Sequence, residues 1–318
     1  MNRTACEVQH QDWQVDALWR QLSPLLPGIG IEVMAQTDST NSALLDRVRD
    51  SAARESGRGS PGSRDDKLNC RRRCEDLQPC LLVAEHQTRG RGRLGRSWQS
   101  GPSGALTFSL GLPLELVDWS GLSLAVGCAI ADALDPLADA MQTPRLQLKW
   151  PNDLWLHGRK LGGILIETLP AGAQRMVVIG VGLNLAELTP DADTAPSQFA
   201  TGFAALDELG SKPGAWRAPE VLAQVAPALV QALLDFSQAG FADWQARYAR
   251  RDLLFGRPIT AGTQAGIARG VNARGELLLQ TAAGVQTVSG GEISVRLAVS
   301  DTGSGTGRNT VTNTGAGP

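Results

Sequence analysis

The chain is poor in several of the residues on which enzyme chemistry is often built. It has one tyrosine and three histidines, and aromatic residues make up 5% of it. His10, His86 and His157 form no spaced pair, so the pattern supports neither a histidine metal site nor a histidine base. Five cysteines are an odd number for a disulfide framework and read as reduced thiols. Neither sign of charge is in excess. Thirty Lys+Arg against 32 Asp+Glu leave a net charge of −2, which excludes a globally basic nucleic-acid coat and an acidic disordered solubiliser. No window approaches the roughly 18 uninterrupted apolar residues of a membrane span. The first twenty residues carry Glu7, Asp12 and Asp16 and lack the apolar core of a secretory signal. The expectation is a cytoplasmic protein bound to neither nucleic acid nor membrane.

What is present is a chain of 318 residues, 42% hydrophobic, with 36 Gly and 17 Pro, long enough for one large and one small domain. Residues 51–79 mix Gly, Ser, Pro and charge without apolar period and read as a disordered insertion, and the tail 299–318 reads likewise. Cys70, Cys74 and Cys80 in and beside that insertion fit no zinc spacing. Between these stretches the texture is α+β. Strands are expected at Ile31–Met34, Leu81–Ala84, Ala105–Leu110, Leu146–Lys149, Asp153–Leu156, Ile164–Glu167 and Met176–Val181, with a hairpin at His157-Gly158-Arg159. A helix capped by Asp38, Ser39 or Thr40 follows the first strand. Another, capped by Asp118, runs through Leu122 to Leu134, and two more cover Val221–Phe236 and Phe241–Arg251. The expected catalytic domain, 1–254, is thus a mixed or antiparallel sheet with helices packed on one face. A small β-barrel, SH3-like in size, spans 255–298 with strands at Pro258–Ala261, Gln264–Arg269, Leu277–Gln280 and Val285–Val288.

The chemistry concentrates in a few segments. Arg89-Gly90-Arg91-Gly92-Arg93-Leu94-Gly95-Arg96 places four arginines in eight residues, with no carboxylate between Glu85 and Glu115. Arginine forks bind phosphate or carboxylate oxygens, and the interleaved glycines let backbone fold closely around a ligand. Gly90-x-Gly92-x-x-Gly95 matches a dinucleotide fingerprint only as letters, because that motif must open a helix and this one runs toward a strand. No Gly-x-x-x-x-Gly-Lys-Ser/Thr loop is present either. Lys149-Trp150-Pro151-Asn152-Asp153 groups a cation, an amide and a carboxylate. Lys160 stands at the mouth of an apolar strand that contains Gly162-Gly163. Val178-Ile179-Gly180-Val181-Gly182-Leu183-Asn184 repeats this glycine-bearing strand texture.

Taken in order with Thr37-Asp38-Ser39-Thr40-Asn41 and Gly290-Gly291-Glu292-Ile293-Ser294, these segments resemble the bacterial biotin–protein ligases over residues 31 to 297. The resemblance implies an enzyme that activates biotin with MgATP as biotinyl-5′-adenylate. The biotinyl group then passes to one lysine of the biotin carboxyl carrier protein of acetyl-CoA carboxylase. It implies biotin-binding roles for Ser39, Thr40, Asn41, Gln87, Arg91, Gly92, Arg93, Lys160 and Gly163. Arg91, Arg93, Arg96, Trp98, Asn152, Gly182, Asn184 and Arg296 are implied on the ATP and adenylate side. Lys160, Arg93 and Asp153 are implied as catalytic, with Mg2+ arriving on ATP near Asp153. Some relatives carry an N-terminal winged helix-turn-helix. About 36 residues precede Thr37, fewer than that module needs, so a monofunctional type without DNA binding is expected, as a monomer or weak homodimer. The rival readings are a lipoate–protein ligase and a non-catalytic biotin sensor. The Arg-Gly loop and the Lys-Trp-Pro-Asn-Asp segment disfavour the first, and the set of charged residues disfavours the second.

Overall fold

A computed structural model describes residues 11–56, 78–98, 104–139, 141–171, 174–187, 202–210, 214–290 and 293–297. Most of the expected insertion, and all but one residue of the Gly290-Gly291-Glu292 turn, lie outside them, as do Cys70, Cys74 and the tail 299–318. The elements in order are α1 Val15–Leu22, β1 Gly30–Thr37, α2 Thr40–Ser56, β2 Cys80–Gln87, β3 Gly90–Arg91, β4 Ser97–Trp98, β5 Ala105–Pro113 and α3 Leu122–Leu134. Then come β6 Leu146–Lys149, β7 Asp153–Leu156, β8 Arg159–Ala171, β9 Gln174–Asn184, α4 Ala218–Ala239 and α5 Gln245–Ala249. The chain closes with β10 Pro258–Ala261, β11 Gln264–Val271, β12 Leu277–Thr281, β13 Gly284–Val288 and β14 Val295–Leu297.

Seven strands form one sheet in the order β1-β2-β5-β9-β8-β7-β6. Its β1–β2 pair is parallel and the others are antiparallel, so the sheet is mixed, as expected. Alternation along the central strands decides what each face meets. Leu81, Val83, Leu106, Phe108 and Leu110 point into the main core, while Leu82 and Val178 pack with Leu44 and Leu45 of α2. The two faces are therefore covered differently. Helices α1, α3 and α4 share one face, but α2 lies on the other, which corrects the expectation that all helices pack on one side. The reason is period: β2 and β9 are apolar at both phases, through Leu81 and Leu82 and through Val177 and Val178, so both faces need cover.

Helix α3 is almost wholly buried between the sheet and α4. Its glycine lets it come close, since a Cβ at Gly127 would lie 3.1 Å from the Leu148 side chain. The cap expected of Asp118 is not made. The helix starts after Gly121, held at φ 80° against the Phe241 ring, while Asp118 accepts instead from the Ser120 amide and Arg274. Helix α2 runs to Ser56, six residues into the stretch read as disordered, because Ala52, Ala53, Arg54 and Glu55 favour a helix. The expected helix Phe241–Arg251 is a 3-10 turn, Ala242–Trp244, followed by the short α5. Helix α1 was not foreseen. Its Leu18 and Leu22, buried one turn apart, are the pattern that marks it. The hairpin at His157-Gly158 is present, with both residues at positive φ as a tight turn requires. No helix among the described residues is long and apolar enough to cross a membrane.

The C-terminal strands form a five-stranded antiparallel sheet, β13-β12-β11-β10-β14, whose edge strands β13 and β14 do not pair with each other among the described residues. It is joined to the large sheet through Leu148, whose N–H donates to Arg251 O at 2.7 Å and whose carbonyl accepts from Leu253 N at 3.0 Å. Arg251, 1% exposed, locks this junction by reaching Asp132, Asp135 and Leu146 O. Replacing it by alanine strands a buried carboxylate, Asp135. Arg251→Ala should lower the unfolding free energy by about 3–5 kcal/mol, measured by urea denaturation.

Candidate active site

The sequence motifs converge on the sheet face that carries α2. On this face β9 presents Val178, Gly180, Gly182 and Asn184. Two of these must be glycine for steric reasons. A Cβ at Gly180 would fall 2.2 Å from Asn41 Oδ1, and one at Gly182 would fall 2.5 Å from the Trp98 ring. Gly182 pairs in register with Gly163 of β8, and Gly163 pairs with Asp153 of β7. Side chains are thus absent at neighbouring positions of two strands, with Asp153 beside them on the third.

At one end of this floor, the N-terminus of α2 meets β2, β5 and β8 through a continuous polar network. Ser39 starts the helix, its Oγ 3.5 Å from the Ser42 amide. Gln87 Oε1 accepts from the Thr40 backbone N–H at 2.8 Å and from Thr40 Oγ1 at 3.2 Å. Ser109 Oγ lies 2.6 Å from both Thr40 Oγ1 and Asn41 Oδ1. Asn41 Nδ2 donates to Leu165 O and to Glu167 Oε2, at 3.2 and 2.9 Å. Glu167 also takes the Arg91 guanidinium through both oxygens, at 2.9 and 3.2 Å. Asn41 and Arg91 were expected to face a ligand; here their side chains are engaged with Glu167 and Ser109. A lone carboxylate in the apolar strand β8 explains this, because it needs partners once half-buried. Neither Glu167 nor Ser109 was singled out from sequence.

The other end holds the charge. Strands β3 and β4 fold the Arg-Gly loop into a flap, closed by Gly92 N–H donating to Arg96 O at 2.7 Å. Arg93 donates to Asn152 Oδ1 at 3.3 Å and to the Gly290 carbonyl, and Arg96 donates to Ser294 Oγ at 3.0 Å. The flap therefore rests on the C-terminal strands. Asn152 in turn donates to Ile164 O at 2.7 Å. Lys160 Nζ forms an ion pair with Asp153 Oδ1 at 2.7 Å, and a Cβ at Gly163 would lie 3.5 Å from that ammonium. Lys149, absent from the expected site residues, joins them: its Nζ donates to Val295 O at 2.9 Å and sits 5.1 Å from the Trp155 ring centre. Burial pushes the Lys149 ammonium below its usual range; Asp153 opposes this, while Lys160, Arg96 and Arg296 add to it. Burial also lowers the Arg93 pKa, against the pull of Asp153. Arg296, on β14, is thus near enough for its charge to act on Lys149.

Two buried polar atoms on this floor have no hydrogen-bond partner: the Trp98 indole N–H and the Asn184 side-chain oxygen. One is a donor and the other an acceptor, and both border the strip cleared at Gly182. Among the described residues no group of three or more His, Cys, Asp and Glu is placed to hold a metal ion. Cys80, on β2 beside Glu32 and Arg47, has its thiol pushed up to about 12, mainly by burial.

Residues 73–184 match the Biotin/lipoate A/B protein ligase family, and 254–296 match the Biotin protein ligase C terminal domain. The chain is 32% identical to the biotin--[acetyl-CoA-carboxylase] ligase of Mycobacterium tuberculosis, over 86% of this chain and 89% of that protein. It is 33% identical to the bifunctional ligase/repressor BirA of Escherichia coli, over 88% of this chain and 78% of the relative. Among solved structures it is similar to the biotin protein ligase of Aquifex aeolicus in complex with biotin and ATP, with a TM-score of 0.60, 25% identity, and coverage of 86% and 100% of the two chains. The chain belongs to the biotin–protein ligase family. This ligase carries its charged flap on residues 90–98, with Trp98 as the anchor on the sheet. Gly182→Ala should dislodge Trp98 and open the flap. Trypsin should then cut after Arg91, Arg93 or Arg96 about tenfold faster, with other cleavage unchanged, as followed by mass spectrometry.

Proposed function

We propose that the protein joins biotin to ATP as biotinyl-5′-adenylate, releasing pyrophosphate, and then transfers the biotinyl group to a lysine of the biotin carboxyl carrier protein of acetyl-CoA carboxylase. The observation that carries this reading is the gathering of Arg93, Arg96, Lys149 and Lys160 around Asp153 beside a glycine-cleared floor. Biotin's carboxylate must attack the α-phosphorus of an anionic nucleotide, and two anions approach each other only where positive charge is concentrated and water is scarce. In this reading Lys160 and Arg93 stabilise the negative charge that builds on the α-phosphate oxygens as the anhydride forms. Asn152, tied to Arg93, orients the phosphates. The biotin rings lie toward the α2 end, where Ser39, Thr40, Asn41, Gln87, Arg91 and Gly92 wall the site. The base lies beside Trp98, whose ring packs on Gly182, with its polar edge toward the unpaired Asn184 oxygen. Arg296 adds charge from the C-terminal strands, residues 255–298, which complete the catalytic domain 1–254.

Magnesium enters on ATP. Asp153 is a carboxylate of the kind that would hold such an ion; it is paired with Lys160 and would become available to the ion or to the incoming lysine once Lys160 turns to the phosphate. In the transfer step the acceptor amine attacks the acyl carbon and AMP leaves. Water would compete, so the flap serves to keep the mixed anhydride dry until the carrier docks.

Lys160→Ala and Arg93→Ala should each slow biotin-dependent pyrophosphate release by about a hundredfold or more without lowering the melting temperature appreciably. Continuous pyrophosphate detection, with and without biotin, reads this directly. Turnover near the unmutated rate in both variants would remove the assignment.

A further inference from the structure

A segment outside the sequence motifs touches both Lys160 and Asn184. Residues 203–208 run beside the mouth of the site, after a stretch of chain outside the described residues. Lys160 forms a parallel bridge with Phe203, and its carbonyl accepts from the Ala204 amide at 2.8 Å. The Ala204 carbonyl in turn accepts from Asn184 Nδ2 at 3.1 Å. This last bond has a consequence for recognition. A side-chain amide has a donating end and an accepting end, and the one that faces a ligand is decided by what holds the other. A carbonyl can only accept, so it takes the NH2 group and leaves the buried Asn184 Oδ1 turned away from it and without a partner. Rotation of the amide would set two acceptors against each other.

The segment does not hold itself in place by packing alone. It turns at once into a 3-10 element, Leu206–Glu208, and Glu208 secures that turn: its Oε1 accepts from the Ala205 amide at 2.9 Å. Its Oε2 is gripped by the Arg159 guanidinium, with His157 Nδ1 at 3.4 Å. Arg159 donates as well to Phe203 O at 2.8 Å, and Arg145 donates to the carbonyls of Glu208 and Leu209 at 3.1 and 2.9 Å. Arg159 adjoins Lys160 at the start of β8, so the ion pair ties the segment to the strand that carries the ammonium.

We infer that Glu208, acting with Arg159, is a positioning residue for nucleotide selection: it pins the Phe203–Ala205 segment that fixes the Lys160 backbone and aims the Asn184 oxygen at the amino edge of the purine base. This rests on the reading of Asn184 and Gly182 as the nucleotide side of the site. Glu208 touches no reactant. Its effect passes through Ala204 to Asn184, whose acceptor suits the exocyclic amino group of adenine and clashes with the carbonyl oxygen that inosine carries there.

The test compares the full-length protein with Glu208→Ala and Arg159→Met, measuring KM for ATP, the ratio of kcat/KM for ATP to that for inosine triphosphate, direct biotin affinity, and the melting midpoint. In Glu208→Ala, KM for ATP should rise about tenfold and the preference for ATP over inosine triphosphate should fall by about the same factor, with biotin affinity within about twofold of the unmutated protein. Arg159→Met keeps the Glu208–Ala205 turn but loses the grip on Phe203 and Glu208, and should move the same two quantities in the same direction. Should Glu208→Ala fail to fold, Arg159→Met decides alone. Unchanged KM and unchanged base preference would overturn the inference. So would loss of biotin affinity and melting midpoint in step with them, which marks general damage rather than positioning. If the unmutated protein makes pyrophosphate with biotin but does not prefer ATP to inosine triphosphate, the inference falls while the ligase reading stands. If it makes none, the reading beneath it falls too.

Discussion

The site depends on cations held by neutral acceptors. Arg93 is bound by the Gly290 carbonyl and the Asn152 amide oxygen, Arg96 by the Ser294 hydroxyl, and Lys149 by the Val295 carbonyl. Each of these partners satisfies N–H groups without cancelling their charge. Carboxylates in the same places would give stronger pairs and a site with little field left for an anionic ligand. Among the described residues, Glu167 on Arg91 and Asp153 on Lys160 are carboxylate pairs, and the second is easy to exchange, since both its side chains remain partly accessible, at 30% and 18%. Burying these cations costs free energy, which shows in the pKa values of Lys149 and Arg93, lowered mainly by burial and further by neighbouring cations. The large buried core of the sheet and its helices offsets it.

This arrangement explains why a module of some forty residues follows the large sheet. Gly290, Ser294 and Val295 belong to the C-terminal strands or the turn leading into them, and they supply three of the four neutral acceptors. Trp150 adds a further tie, donating its indole N–H to Gly275 O at 3.0 Å. The module is therefore a wall of the charged pocket. Its docking against Trp150 and the flap places backbone carbonyls where a long loop of the large domain would be needed otherwise.

Much of this was legible in the sequence, and what was not has identifiable causes. The strands and the hairpin at His157-Gly158 follow from alternation and turn residues, which are local. The site residues Arg93, Asn152, Asp153, Lys160 and Gly182 stand in motifs dense enough to be found one segment at a time. Helix α1 is hard to read because its eight residues bury only Leu18 and Leu22, too short a run for the helical period to stand out. The placement of α2 on the second face needed knowledge of which strands pair, since Leu82 and Val178 meet only through the sheet order β2-β5-β9. Glu167 and Ser109 escaped for a related reason: each looks ordinary in its own strand and gains its meaning from Asn41, 126 and 68 residues away. Lys149 stands in a legible motif, but its own contact, the Val295 carbonyl, is 146 residues away. The Asp118 cap failed because Gly121, forced to positive φ by Phe241, begins the helix three residues later.

The two ends of the floor differ in how completely the protein satisfies itself, and this difference has functional content. At the α2 end the side-chain network from Gln87 through Thr40, Ser109, Asn41 and Glu167 to Arg91 is closed, each member bonded to the next. Such a network is rigid and sets a fixed shape. At the other end Trp98 Nε1 and Asn184 Oδ1 are buried without partners. Leaving such groups unpaired costs about 1–3 kcal/mol each. Evolutionary tuning for stability alone would replace them with apolar groups, which fit the same space without that cost. Beside Gly182 the two atoms differ in polarity, so a ligand reaching both would have to bring an acceptor to Trp98 and a donor to Asn184.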